Sequence, residues 1–189
     1  MLKILSWNVN GIRAVHKKGF LLWLQKESPD VLCLQEIKAT QAQLPKELLY
    51  APGYHAYWNP AQRLGYSGVA VYTKEKPLSV KHGLGVARFD EEGRVLQLEY
   101  KHFTLFNIYS PNGKMNEERL QFKLNFYNES LKLFKKLKQE GRKLVICGDY
   151  NTAHQPIDLA HPKENEDTSG FLPIERAWLD KLVSSGFID

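Results

Sequence analysis

Cysteine is scarce in this chain of 189 residues, with two in all, Cys33 and Cys147. Each lies inside an apolar, strand-like run, so both read as small buried hydrophobes rather than a disulfide or a metal pair. A reducing cytoplasm is the compartment this implies. No apolar run approaches the roughly 18 to 20 residues that a membrane helix needs. The first residues, MLKILSWNVNGI, are interrupted by polar Ser6, Asn8 and Asn10 and do not form a signal peptide. There is no GxxxxGK[ST] phosphate loop. No serine stands in a nucleophile-elbow setting, and no Cys–His pair suggests covalent acyl chemistry. Repeats, low-complexity tracts and linkers are also lacking.

What remains is ordinary for a globular domain: 43% hydrophobic and 25% charged residues. Lys and Arg number 26 against 21 Asp and Glu, a formal charge of +5. That excess suits a polyanionic partner and decides nothing alone. The length fits one domain.

Short apolar strands alternate with amphipathic helices and Gly/Pro turns, the pattern of an α/β domain. Strands are expected at Lys3–Trp7, Val31–Gln35, Tyr54–Trp58, Ser67–Thr73, Leu78–His82, Arg94–Tyr100, Phe103–Tyr109 and Lys143–Asp149. Short Gly-containing connections mark several as antiparallel neighbours. Helices are expected over Gly19–Glu27, from about Asn116 to Glu140, and over Pro173–Ser185. In the long helix Leu120, Leu124, Tyr127, Leu131, Phe134 and Leu137 form one apolar stripe. A polar loop is expected from Tyr150 to Gly170. Trp7 and Trp23 lie on apolar faces and read as core, whereas Trp58 has no clear place. The final Phe187-Ile188-Asp189 looks like the opening of a further strand, as in a shortened chain.

Four of the strands finish alike. Ile4–Trp7 ends in Asn8, and Val31–Leu34 ends in Gln35-Glu36. Phe106–Ile108 ends in Tyr109, Ser110, Pro111 and Asn112, and Leu144–Cys147 ends in Gly148, Asp149 and then Asn151. A polar exit is unremarkable for one strand. Four of them converging at one mouth would assemble Glu36, Asp149, Asn8, Asn151 and Tyr109. Clustered oxygen donors suit Mg²⁺ or Mn²⁺, hard cations that bind phosphate oxygens. Asn amides and a Tyr hydroxyl can donate to a phosphate without repelling it. The mixture points to metal-assisted hydrolysis of a phosphate ester.

PDVLCLQEIK resembles the signature block of the exonuclease III family of abasic-site DNA endonucleases. SWNVNGIRA, GYSGVAVY, IYSPNG and GDYNTAHQPIDLAHPKEN resemble its other blocks in the same order, from about Leu2 to Asp189. Related phosphodiesterases share the WN, QE and GDxN elements but not the AHxxIDL stretch. The resemblance implies a four-layer α/β sandwich, two packed mixed sheets flanked by helices, over a single domain spanning 1–189. It implies Mg²⁺, with Mn²⁺ as an alternative, held by Glu36 with Asn8 beside it. Asp149 is expected to orient or deprotonate the attacking water and Asn151 to hold the phosphate or that water. Tyr109 is expected to donate to the phosphate or stabilise developing charge. Arg13, Lys38, Tyr66, Asn112 and Asn165 fall where the family contacts DNA. His154 is expected to organise its loop rather than act as a base.

The implied activity is cleavage 5′ to abasic sites in duplex DNA, with trimming of 3′ ends by a protein that is typically monomeric. Family members continue with further strands bearing an active-site Asp and a terminal Ser-Asp-His. The expectation is therefore a C-terminally incomplete domain whose uncovered edges associate and whose activity is impaired. Two rivals stand beside the main reading: a related metal phosphoesterase on RNA, phospholipid or inositol phosphate, and a catalytically dead DNA-binding fragment.

Overall fold

Val31–Gln35 is buried at every position, as an apolar strand must be when both of its faces are covered. The computed structural model describes residues 1–188 and explains that burial. Eight strands form: β1 (Ile4–Asn8), β2 (Val31–Gln35), β3 (His55–Asn59), β4 (Val69–Thr73), β5 (Ser79–His82), β6 (Val95–Glu99), β7 (Thr104–Tyr109) and β8 (Leu144–Asp149). They make two four-stranded sheets, ordered β1-β2-β4-β3 and β5-β6-β7-β8. Each sheet is mixed. β1 runs parallel to β2 and β7 parallel to β8, while the remaining pairs are antiparallel.

Both sheets lie in one compact unit, Met1–Tyr109 with Arg142–Asp149. Alternation along the strands sends successive side chains to opposite faces. From β2 and β4, Val31, Cys33, Val69 and Val71 pack against Leu96, Leu98 and Leu105 of the second sheet. Leu32, Leu34, Ala70 and Tyr72 point the other way, onto Ile12, Phe20, Leu24 and Leu48. Those residues come from α1 (Ile12–Lys17), α2 (Phe20–Glu27) and α3 (Lys46–Leu49). Each such side chain, fully buried, contributes about 1.5 to 3 kcal/mol relative to exposure. A four-residue helix, α4 (Ala87–Asp90), precedes β6.

One polar seam crosses the apolar layer between the sheets. Asn107 of β7, 0% exposed, donates to the carbonyls of Leu34 and Ala70 at 3.0 and 2.8 Å. Its own oxygen accepts from Gln35 at 2.7 Å, and Gln35 also donates to Ser6. The Tyr100 hydroxyl makes a second crossing, to Thr73 at 2.9 Å.

The second unit takes Ser110–Gly141 and the chain from Tyr150 onward. It holds α5 (Glu117–Gln139), α6 (Pro162–Asn165) and α7 (Pro173–Ser184). Asn116 caps α5 by accepting from the Arg119 amide, the side-chain cap that orphan helix amides favour. The buried face of α5 includes Tyr127, Leu131 and Phe134, but also Lys123 and Ser130. Lys123 forms a fully buried ion pair with Glu175 of α7 at 2.6 Å, and Tyr127 stacks on Trp178 with ring centroids 4.2 Å apart.

Three expectations need correction. The polar loop after β8 contains α6 and a 3₁₀ turn at Pro156–Asp158, both too short to show periodicity. Phe187 and Ile188 form no strand; the Phe187 ring instead packs edge-on against Phe134. Asp189 lies outside the described residues. Trp58 is buried and packs against Tyr72. Cys147 Sγ donates to Cys33 Sγ at 3.4 Å with no disulfide between them, and Cys147 is only half-buried. No helix among the described residues is long and apolar enough to cross a membrane.

Candidate active site

Parallel pairing sets the geometry of the site. In β1 and β2, Asn8 lies opposite Gln35, so Glu36 follows at the same edge. In β7 and β8, Tyr109 lies opposite Asp149. The carboxyl ends of two parallel pairs, one from each sheet, therefore deliver side chains together. Gly148 makes the last step feasible. A Cβ there would fall 1.9 Å from the Ile108 carbonyl oxygen, and its φ of +143° suits glycine alone.

At this edge the Asn8 amide nitrogen donates to Glu36 Oε1 at 2.8 Å and to Asp149 Oδ2 at 2.7 Å. The Asn8 side-chain oxygen Oδ1 accepts from the Asn10 backbone amide. Lys38 Nζ sits 2.8 Å from Glu36 Oε2 and also donates to Asn10. Burial pushes the Glu36 carboxyl up, but hydrogen bonds from Asn8, Lys38 and Tyr109 outweigh it and hold the group below the usual carboxylate range. Glu36 is thus an anion already surrounded by donors.

Backbone strain gathers around the same residues. Glu36, Lys38, Asn10 and Ser67 all have positive φ, from 44° to 54°, a conformation that costs L-residues roughly 1–2 kcal/mol each. Backbone of the neighbouring loops holds it in place. Gly11 donates to the Glu36 carbonyl, Ile37 to Gly68, and Lys38 to Ser67.

Arg94 carries no mark in the sequence, yet it is part of this corner. It is 2% exposed. It donates to the Tyr109 carbonyl and to the Tyr66 hydroxyl, both at 2.9 Å, and pairs with Glu92. A Gly-Arg step before an apolar strand is common, so only the fold could single it out.

The remaining expected residues are spread more widely. Arg13 is exposed on α1. Tyr66 packs beneath Arg63 and Arg94. In the second unit, Asn151 has a φ of +51° and donates to the Ser110 carbonyl at 2.8 Å. Its own carbonyl accepts from Lys123. Asn112 accepts from Lys114 in a turn, and Asn165, at the end of α6, donates back to the carbonyl of His161, which precedes the helix. His154 is tied through its amide to Asp158, through its ring to Asp180, and through its carbonyl to Arg176.

Among the described residues, no three His, Cys, Asp or Glu side chains cluster as a metal cage. Two carboxylates joined by an amide, all oxygen-bearing, fit a small hard cation that keeps several of its waters. They do not fit zinc, which prefers a closed nitrogen or sulfur set.

A family model described as endonuclease/exonuclease/phosphatase matches residues 5–186. The chain belongs to this family. Within the endonuclease/exonuclease/phosphatase family, its relatives are of the exonuclease III and AP endonuclease kind. It is 41% identical over 189 residues to an exodeoxyribonuclease of Bacillus subtilis, covering all of this chain and 73% of that protein. An AP endonuclease from Archaeoglobus fulgidus superimposes with a TM-score of 0.89 at 31% identity, over 100% of this chain and 72% of that one. A 3′ phosphatase from Neisseria, bound to a product DNA hairpin, superimposes at 0.88 with 26% identity, over 100% and 73%. Two mixed sheets with flanking helices are the architecture this family shares with the chain.

Proposed function

We propose that this chain is a DNA-repair phosphodiesterase that requires a divalent cation and cuts 5′ to abasic sites in duplex DNA. Trimming of 3′ ends is a second activity of the same site. The observation that carries the reading is the Asn8 amide joined to Glu36 and Asp149 at the carboxyl ends of two sheets. The names of the relatives, among them an AP endonuclease and a DNA-bound 3′ phosphatase, support DNA as the substrate. The charge of +5 suits it.

In this reading Glu36, with Asn8 beside it, holds Mg²⁺, and Mn²⁺ can take its place. The cation, when bound, neutralises charge on the phosphate. Asp149 orients the attacking water and accepts its proton. Asn151 holds the scissile phosphate, and the Tyr109 hydroxyl, held against Glu36 in the structure, turns its proton to the charge that develops on the phosphate. Arg13, Lys38, Tyr66, Asn112 and Asn165 contact the DNA strands. Buried Cys33 and half-buried Cys147, both free thiols, are compatible with a reducing cytoplasm.

The test is a labelled duplex with one abasic-site analogue, incubated with Mg²⁺ or with chelator. Glu36→Ala and Asp149→Ala serve as controls against a contaminating nuclease. Cleavage 5′ to the lesion that needs the cation and both carboxylates is the expected result. Salt-sensitive binding without cleavage would replace this reading with that of a DNA-binding protein. Preferential hydrolysis of RNA or a phospholipid would make it a related phosphoesterase.

A further inference from the structure

Arg94 reaches Tyr109 in three ways. Its carbonyl accepts from the Tyr109 amide at 2.8 Å, and its guanidinium donates to the Tyr109 carbonyl at 2.9 Å. The guanidinium carbon also lies 4.8 Å from the centroid of the Tyr109 ring, within the range of a cation–π contact. The far end of that ring meets Glu36, to which the hydroxyl donates. Tyr109 is therefore gripped at its backbone and ring by a cation and at its tip by the site's central anion. A second nitrogen of the same guanidinium donates to the Tyr66 hydroxyl at 2.9 Å. Tyr66 adjoins Ser67, whose carbonyl accepts from the Lys38 amide. Nε faces the Glu92 carboxylate, which balances the buried charge.

We propose that Arg94 is a positioning residue that sets two tyrosines at once, Tyr109 against Glu36 and Tyr66 beside the Lys38 turn. A planar guanidinium can point three N–H groups in fixed directions while presenting its face to a ring; an ammonium cannot. A buried charge is weak as a source of stability alone, since apolar groups of similar volume often serve as well. Its geometry here serves Tyr109, which meets Glu36, and Tyr66, whose neighbour Ser67 holds the Lys38 turn. The inference rests on the reading of Tyr109 as the group that meets the phosphate.

A double-mutant cycle on the intact protein tests it. Arg94→Met should lower kcat on abasic duplex by about 10²-fold, the scale of a misplaced catalytic group. In a Tyr109→Phe background the same change should cost less than about threefold, because the hydroxyl that it positions is gone. Arg94→Lys should not restore kcat. Equal losses in both backgrounds, or full rescue by lysine, would overturn the proposal. Should Arg94→Met fail to fold, the charge-balanced Glu92→Gln/Arg94→Met pair takes its place in the cycle. A second readout needs no turnover: ring ¹³C resonances of Tyr66 and Tyr109, assigned with Tyr66→Phe and Tyr109→Phe. Both sets should move when Arg94 is replaced, and unmoved resonances would overturn the proposal. A protein that cuts no abasic DNA but shows both shifts would refute the repair reading and leave the role of Arg94 standing.

Discussion

Glu36 and Asp149 follow or end strands of different sheets, yet they share a single donor, the Asn8 amide, at 2.8 and 2.7 Å. Two carboxylates brought to one donor repel each other unless hydrogen bonds or a cation favour their charged forms. Asn8 supplies part of that compensation from β1, and Lys38 and Tyr109 supply more to Glu36.

Removing the shared donor should be costly for turnover. Asn8→Ala loses two hydrogen bonds to charged groups, each worth about 1.5 to 3 kcal/mol. A fall in kcat/KM of at least about tenfold is expected in the abasic-duplex assay. An activity within about twofold of the parent would show that the bridge is incidental to turnover.

The seam at Asn107 makes a claim about stability. Asn107→Ala leaves the carbonyls of Leu34 and Ala70, and the Gln35 amide, without a partner that they now have. Urea unfolding should show a loss of about 2 to 4 kcal/mol with an unchanged m-value. A loss below about 0.5 kcal/mol would mean that the seam contributes little to holding the sheets.

The buried pair in the second unit predicts an asymmetry. Glu175 accepts from Lys123, Ser169, Gly170 and Leu172. Lys123→Met strands its charge and should destabilise by about 3 to 5 kcal/mol. Adding Glu175→Gln should recover a large part of that loss, because a neutral amide tolerates burial better. Failure of the double variant to improve on the single one would place the cost in packing around α5 instead.

Alkaline stability should depend on Tyr100. Burial, opposed by the Thr73 hydrogen bond, pushes its hydroxyl from the ordinary 10.0 up to about 12. As pH rises between those values, the unfolded chain gives up a proton that the folded protein keeps. Its contribution is therefore complete below pH 10 and is lost toward pH 12. Urea midpoints at about pH 9 and about pH 11 should fall more for the parent than for Tyr100→Phe. Equal falls would show that the Tyr100 hydroxyl ionises normally.

Much of this molecule is local, and its sequence shows it. The run VLCLQ is β2 to the residue, and α5 starts one residue after the expected Asn116. Glu36, Asn8, Tyr109 and Asp149 stand at strand ends in both accounts, because strand exits are marked by a change from apolar to polar residues along the chain. Four-residue helices such as α3, α4 and α6 leave no mark in the sequence, since one turn is too short to display a period.

What the tertiary structure alone decided are the partnerships. Lys123 and Ser130 lie on the buried face of α5, although such side chains are mostly exposed in proteins. Lys123 is stable there because Glu175 reaches it from another helix. Arg94 gains its place from Tyr66 and Tyr109, which lie on either side of it in the chain and have no local tie to it. The Asn8 bridge exists because parallel pairing in each sheet aligns carboxyl ends. Apolar alternation and turn residues are written in neighbouring residues. Strand register, sheet stacking and the partner of a buried charge depend on groups distant in sequence, and only the folded chain brings them within hydrogen-bonding range.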